Sequence, residues 1–163
     1  MDSLGELLAS DSRHTLEFFV VSLKDVSDGE VDQEELLYNA SVLAHYAQVS
    51  TDADSDVAAP ADLISVFDHF VSDMTLNDPL LLETAGAQCL FLSGFFEDQM
   101  RRRHNIEWYA GLGASFFRRA AAGGSSPKRA RLLVDLAREF EPWRRRHARL
   151  SREMRDWPYL LSR

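Results

Sequence analysis

The chain has 163 residues, with 18 basic against 26 acidic side chains and a formal net charge of −8. That length can enclose a substantial core, and 45% apolar content excludes an intrinsically disordered chain. A single cysteine, Cys89, excludes a disulfide framework and a four-cysteine zinc site.

Helical periodicity dominates and predicts six to seven helices. A short one falls around Leu4 to Leu8, and a second runs from Ser12 to Val26 with Leu16, Phe19, Val20 and Leu23 on one face. Its Phe18-Phe19-Val20-Val21 centre is β-friendly, so a strand is the local alternative. After a turn at Asp28-Gly29-Glu30, a helix over Gln33 to Gln48 carries the stripe Leu36, Ala40, Leu43, Ala47. Residues 50–59 are polar and acidic and read as a flexible surface loop. Pro60 opens a helix with the stripe Leu63, Phe67, Phe70, Met74. Asn77-Asp78-Pro79 starts a long apolar helix to about Arg102, packed through Leu81, Ala85, Cys89, Leu92 and Phe96. Asn105 caps a helix over Ile106 to Ala121, with Ile106, Tyr109, Gly113 and Phe116 inward. Residues 122–127 break the chain at Gly123-Gly124. Two final, nearly continuous helices cover Lys128 to Phe140 and Trp143 to Asp156.

The expectation is therefore an all-α fold over 1–163, one domain of several helices around a central apolar helix at about 79–102. The acidic start Met1-Asp2-Ser3-Leu4-Gly5-Glu6 does not suit a secretory signal. The apolar run Leu80 to Phe96 is shorter than the ~20 residues a membrane span needs. A cytoplasmic protein is expected.

Charge divides the chain. Residues 1–98 hold 20 acidic and two basic side chains (Arg13, Lys24), a net of −18. Residues 99–163 hold 16 basic and six acidic ones, a net of +10. The change of sign falls near Gln99, not at the glycine break, so it does not divide two domains.

Familiar catalytic patterns are absent. There is no phosphate-binding loop and no G-x-S-x-G elbow. Gly111-Leu112-Gly113 begins a dinucleotide fingerprint, but Phe116 stands at its third glycine; the two glycines are better read as a close helix approach. No Glu-x-x-His pair occurs, and Asp11/His14 and Asp68/His69 have no mates, so no metal and no cofactor are expected.

Two clusters remain. The first is Arg101, Arg102, Arg103 and His104, with Tyr109 beyond. Arginines at a helix C-terminus suit its dipole, and Glu97 and Asp98 reach Arg101 and Arg102 at i,i+4, which favours a self-paired terminus. The alternative is an anion pocket completed by the amides after Asn105. The second is the last helix, where Trp143, His147, Leu150, Met154 and Trp157 form one stripe flanked by Arg145, Arg149 and other arginines. Such a helix can pack on its own body, or bind a partner groove, an acidic membrane surface or a nucleic-acid backbone.

The stretch Leu81-Leu82-Glu83-Thr84-Ala85-Gly86 through Leu90-Phe91-Leu92-Ser93-Gly94-Phe95-Phe96, then Arg101-Arg102-Arg103, Trp108-Tyr109 and Gly113, resembles a family of uncharacterised bacterial helical proteins. The likeness covers roughly residues 80–143. It implies an all-helical cytosolic protein and no particular activity. Trp108 and Phe117 stand where that pattern has tyrosines.

The leading functional expectation is a non-enzymatic interaction or regulatory protein that self-associates. Binding of nucleic acid or a phosphorylated ligand through the arginine clusters is the alternative. An unrecognised enzyme using Glu83, Arg102, His104 and Tyr109 in a helix-lined pocket is the third.

Overall fold

A computed structural model describes residues 12–52, 78–101, 105–123 and 126–155. Within them the chain is all-helical, with six helices, one additional helical turn and no strands. The helices are α1 (Ser12–Val26), α2 (Gln33–Asp52), α3 (Pro79–Gly94), the turn α4 (Glu97–Met100), α5 (Ile106–Ala122), α6 (Pro127–Arg138) and α7 (Phe140–Arg155). The expected helices at 4–8 and 60–74 lie outside the described residues. None of the described helices is long and apolar enough to cross a membrane.

Local chemistry sets the starts. Asp78 accepts the Leu80 amide at 2.9 Å, and Pro79 at the first helical position has no amide to orphan. Asn105 accepts the Trp108 amide at 3.1 Å, and Ser126 accepts that of Arg129 at 3.2 Å before Pro127. Asp32 does the same for Glu35 at 3.0 Å. Between α1 and α2 the chain turns at Gly29, whose φ of 111° suits a residue without Cβ. The β-friendly segment of α1 is helical because Phe19 and Leu23 fall on one buried face.

The second half of α3 is enclosed on every side, with all residues from Cys89 to Gly94 buried. Helix α5 lies antiparallel against it at close range. A Cβ at Gly113 would stand 2.6 Å from both Cys89 and Phe140, and one at Gly86 would stand 3.1 Å from Phe117. Gly111, by contrast, has open space around it and plays no part in the approach. The start of α3 is less covered, and Leu81, expected inward, is 39% exposed.

The central helix is shorter than its apolar pattern predicts. It stops at Gly94, and the chain turns through Phe95 and Phe96 before the single turn α4. Two features account for this. The backbone of α7 presses on Gly94, whose Cβ would lie 2.9 Å from the Arg144 carbonyl. The Ser93 carbonyl, which an unbroken helix would offer to the Glu97 amide, instead accepts Arg144 Nη1 at 3.0 Å.

Helices α6 and α7 form a nearly continuous rod interrupted at Glu139. The α7 stripe is buried in the body of the chain: Trp143, His147, Leu150 and Met154 are each at most 3% exposed. Trp157 lies outside the described residues.

Candidate functional site

The arginine cluster after α4 is represented by Arg101 and, further on, Tyr109. Arg102, Arg103 and His104 lie outside the described residues. Arg101 pairs with Glu97 at 3.0 Å, the i,i+4 contact expected of a self-paired terminus. Tyr109 is buried in α5 with its ring edge-on to Trp108.

Glu97 is the centre of a larger network. Its buried carboxylate accepts hydrogen bonds from Arg144 and from Arg152 as well. Arg144, itself buried, also forks onto Glu141 at 2.8 and 2.7 Å. Arg145 reaches Glu141 at 3.0 Å, and Arg152 reaches Asp98 at 3.2 Å. Burial alone would raise the Glu97 pKa, but hydrogen bonds from Arg144 and Arg101 hold it below the ordinary value. The arginines thus converge on a carboxylate of the chain itself.

The same holds for much of the basic half. Arg149 donates to the Val26 carbonyl at 3.0 Å and to Asp28 at 3.1 Å, and Lys128 stands 3.9 Å from Glu34. The acidic and basic halves meet within one chain.

A polar seam joins α2 to α7. Trp143 donates its indole N–H to Glu35 at 2.9 Å, and His147 Nε2 lies 2.8 Å from Asn39 Oδ1. Asn39 spends its amide on the Glu35 carbonyl at 2.8 Å, so its oxygen faces the imidazole and Nε2 carries the proton. Burial lowers the His147 pKa to about 3 and keeps the ring neutral. Burial also raises that of Glu35, with Asp32, Asp135 and Glu139 adding like charge.

One open feature is a groove of about 240 Å³ between α2 and α3; a larger one of about 470 Å³ lies between the start of α2 and α6, lined by charged residues such as Glu34, Lys128 and Arg131. Helices α2 and α3 run parallel along the first, since Tyr38 meets Glu83 and, two turns on, Tyr46 stacks on Phe91 with ring centres 4.5 Å apart. Tyr38, Val42 and Tyr46 line one wall at four-residue steps, over about 12 Å of helix, facing Glu83, Thr84 and Ala87. Ser41 and His45 stand exposed along the rim.

One end has a defined chemistry. Tyr38 donates its phenol to Glu83 Oε2 at 2.8 Å, and burial and the Glu83 charge push the phenol pKa up, so it stays a donor. The Arg129 guanidinium from α6 bonds the same carboxylate oxygen and lies 5.5 Å from the Tyr38 ring centre. Arg129 is 44% exposed there, where such an ion pair contributes about 0–1 kcal/mol and a cation–π contact about 0.5–1 kcal/mol.

Glu83 therefore faces Tyr38 and Arg129. Sequence reasoning picked out Glu83 but missed the groove, whose signal was a second stripe, Tyr38-Val42-Tyr46, beside the apolar stripe of α2. Among the described residues no group of three His, Cys, Asp or Glu side chains could hold a metal ion. Comparison with protein-family models, curated proteins and solved structures finds no match.

Proposed function

We propose that this chain is a non-enzymatic helical interaction protein that self-associates, with the α2–α3 groove as its contact surface. One observation supports the reading: large apolar side chains stand exposed one helical turn from residues that line the groove. Leu80 is 70% and Leu37 51% exposed. Leu80 precedes Thr84 by one turn and Leu37 precedes Ser41 by one turn, so helical spacing sets both at the end marked by Tyr38 and Glu83. Exposed apolar side chains beside a concave surface are a signature of interaction sites. Binding of nucleic acid or phosphate gains less support, because Arg101, Arg144, Arg149 and Arg152 already hold carboxylates of the chain.

Light scattering at micromolar concentration tests the reading, with Leu37→Asp/Leu80→Asp as the control. The expected result is a species larger than the monomer that reverts to monomer in the double variant without loss of helical circular dichroism. A monomeric wild type that also captures nothing from lysate overturns it.

A further inference from the structure

Helix α5 buries the face that carries Tyr109 and Phe116 and turns the opposite face to solvent, where Trp108 stands 49% exposed. Two edges border that open face. Helical spacing sets Glu107, Gly111 and Arg118 along one, and Trp108, Ser115 and Arg119 along the other. Glu107 and Arg118 are both exposed, and among the described residues neither has an ion pair. A Cβ at Gly111 would meet nothing within 4 Å, so this glycine answers no packing need inside the chain. It weakens the helix and leaves a notch in its outer surface.

The two edges share a centre. The midpoint between Glu107 and Arg118 and the midpoint between Trp108 and Arg119 fall on either side of Gly113, one residue or about 1.5 Å apart. A two-fold axis across the face at that point lays each edge against its own reverse. Glu107 of one copy then meets Arg118 of the other, and Trp108 covers the aliphatic stem of Arg119, each contact made twice. The notch at Gly111 lets the two helices approach closely.

We propose that this face is an isologous contact with a second copy of the chain, in which two α5 helices pack antiparallel about Gly113. Charge complementarity names the occupant: the face holds an acid at one end and a base at the other, at a spacing that a reversed copy of itself matches. A single helix face buries less than the roughly 1,200 Å² of the smallest stable complexes, so the contact forms at about 0.1–1 mM. Copies already joined elsewhere supply that local concentration to one another. The contact is separate from the α2–α3 groove and goes beyond it: units that the groove assembles at micromolar concentration are linked side by side through α5.

Analytical ultracentrifugation of the full chain carrying Leu37→Asp/Leu80→Asp, from about 10 μM to about 1 mM at low salt, isolates this contact from the groove. A monomer–dimer equilibrium is expected over that range. Glu107→Arg or Arg118→Glu alone turns attraction into repulsion at both symmetric pairs and should weaken the dimer about tenfold or more. Glu107→Arg and Arg118→Glu together should restore it to within about threefold of the parent. Trp108→Ala should weaken the dimer without loss of helical circular dichroism. If the Leu37/Leu80 double variant does not fold, the same charge variants are compared in wild type, where each single reversal should lower the assembled mass and the swap should recover it. A parent that stays monomeric to the top of the range, single reversals that leave the dimer unchanged, or a swap that restores nothing overturns the inference. A wild type that is monomeric at micromolar concentration yet dimerises through these charges at the top of the range sinks the groove as a contact surface and leaves the α5 contact standing.

Discussion

Glu35 and Trp143, 108 residues apart in sequence, meet through an indole-to-carboxylate hydrogen bond of 2.9 Å, and one turn further along both helices Asn39 and His147 meet at 2.8 Å. The constant offset means that α2 and α7 run parallel, in a single register. Shifting either helix by one residue would part both pairs.

Glu35 stabilises the chain as an acceptor more than as a charge. Its pKa is raised by burial, helped by Asp32, Asp135 and Glu139. The folded state therefore binds more protons than the unfolded state above the ordinary carboxylate value of 4.5. Stability falls as pH rises from that value through the folded pKa. Glu35→Gln keeps an oxygen for Trp143 and removes the charge. It should raise stability to urea at pH 7, with the gain vanishing below about pH 4.5.

His147 has the opposite dependence. Its pKa falls from 6.5 to about 3 on burial. Between those values the unfolded chain binds the extra proton, so stability is full above pH 6.5 and falls as pH drops toward 3, by up to about 1.4 kcal/mol per pH unit. NMR should show a neutral His147 imidazole throughout the folded range above pH 4. Asn39→Ala should cost about 1–3 kcal/mol by orphaning its Nε2 proton.

The arginines around Glu97 should separate by burial. The Arg144 side chain is 8% exposed and that of Arg152 48%. Arg144→Ala strips a buried carboxylate of its inner partner and should cost about 3–5 kcal/mol. Arg152→Ala should cost less than about 1 kcal/mol, because water and Arg101 remain. Thermal or urea unfolding of the two variants measures the difference.

Two neighbouring glycines should respond with opposite signs. Gly113→Ala drives a methyl group into Cys89 and Phe140 and should cost about 1–3 kcal/mol. Gly111→Ala meets nothing and should stabilise α5 by about 0.5–1 kcal/mol through helix propensity.

Much of this architecture was legible in the sequence, and the division between what was and was not is physical. Asp78-Pro79 and Asn105 fixed helix starts because caps act within three residues. The Glu97–Arg101 pair was legible because helical spacing places it. The break at Gly94 was not, since its cause is a guanidinium arriving from 51 residues away. Asp98 also bonds Arg152 from α7, a contact that spacing along one helix cannot place. Asn39 and Glu35 read as ordinary polar positions on α2, and only the arrival of α7 makes them part of a buried seam. The network around Glu97 was only half legible: spacing gave Arg101, while Arg144 and Arg152 reach the same carboxylate only through the tertiary fold.

The ion pairs that join the two halves also constrain the order in which the chain can fold during synthesis. Glu97 precedes Arg144 by 47 residues and Arg152 by 55, Glu83 precedes Arg129 by 46, and Asp28 precedes Arg149 by 121. At roughly 5–20 residues per second, the ribosome releases each of these carboxylates at least about two seconds ahead of its cation. Until then the emerged segment is a polyanion whose self-repulsion opposes collapse. Three of these four cations, Arg144, Arg149 and Arg152, lie on α7, so Glu97 and Asp28 gain those partners only once that helix has been made.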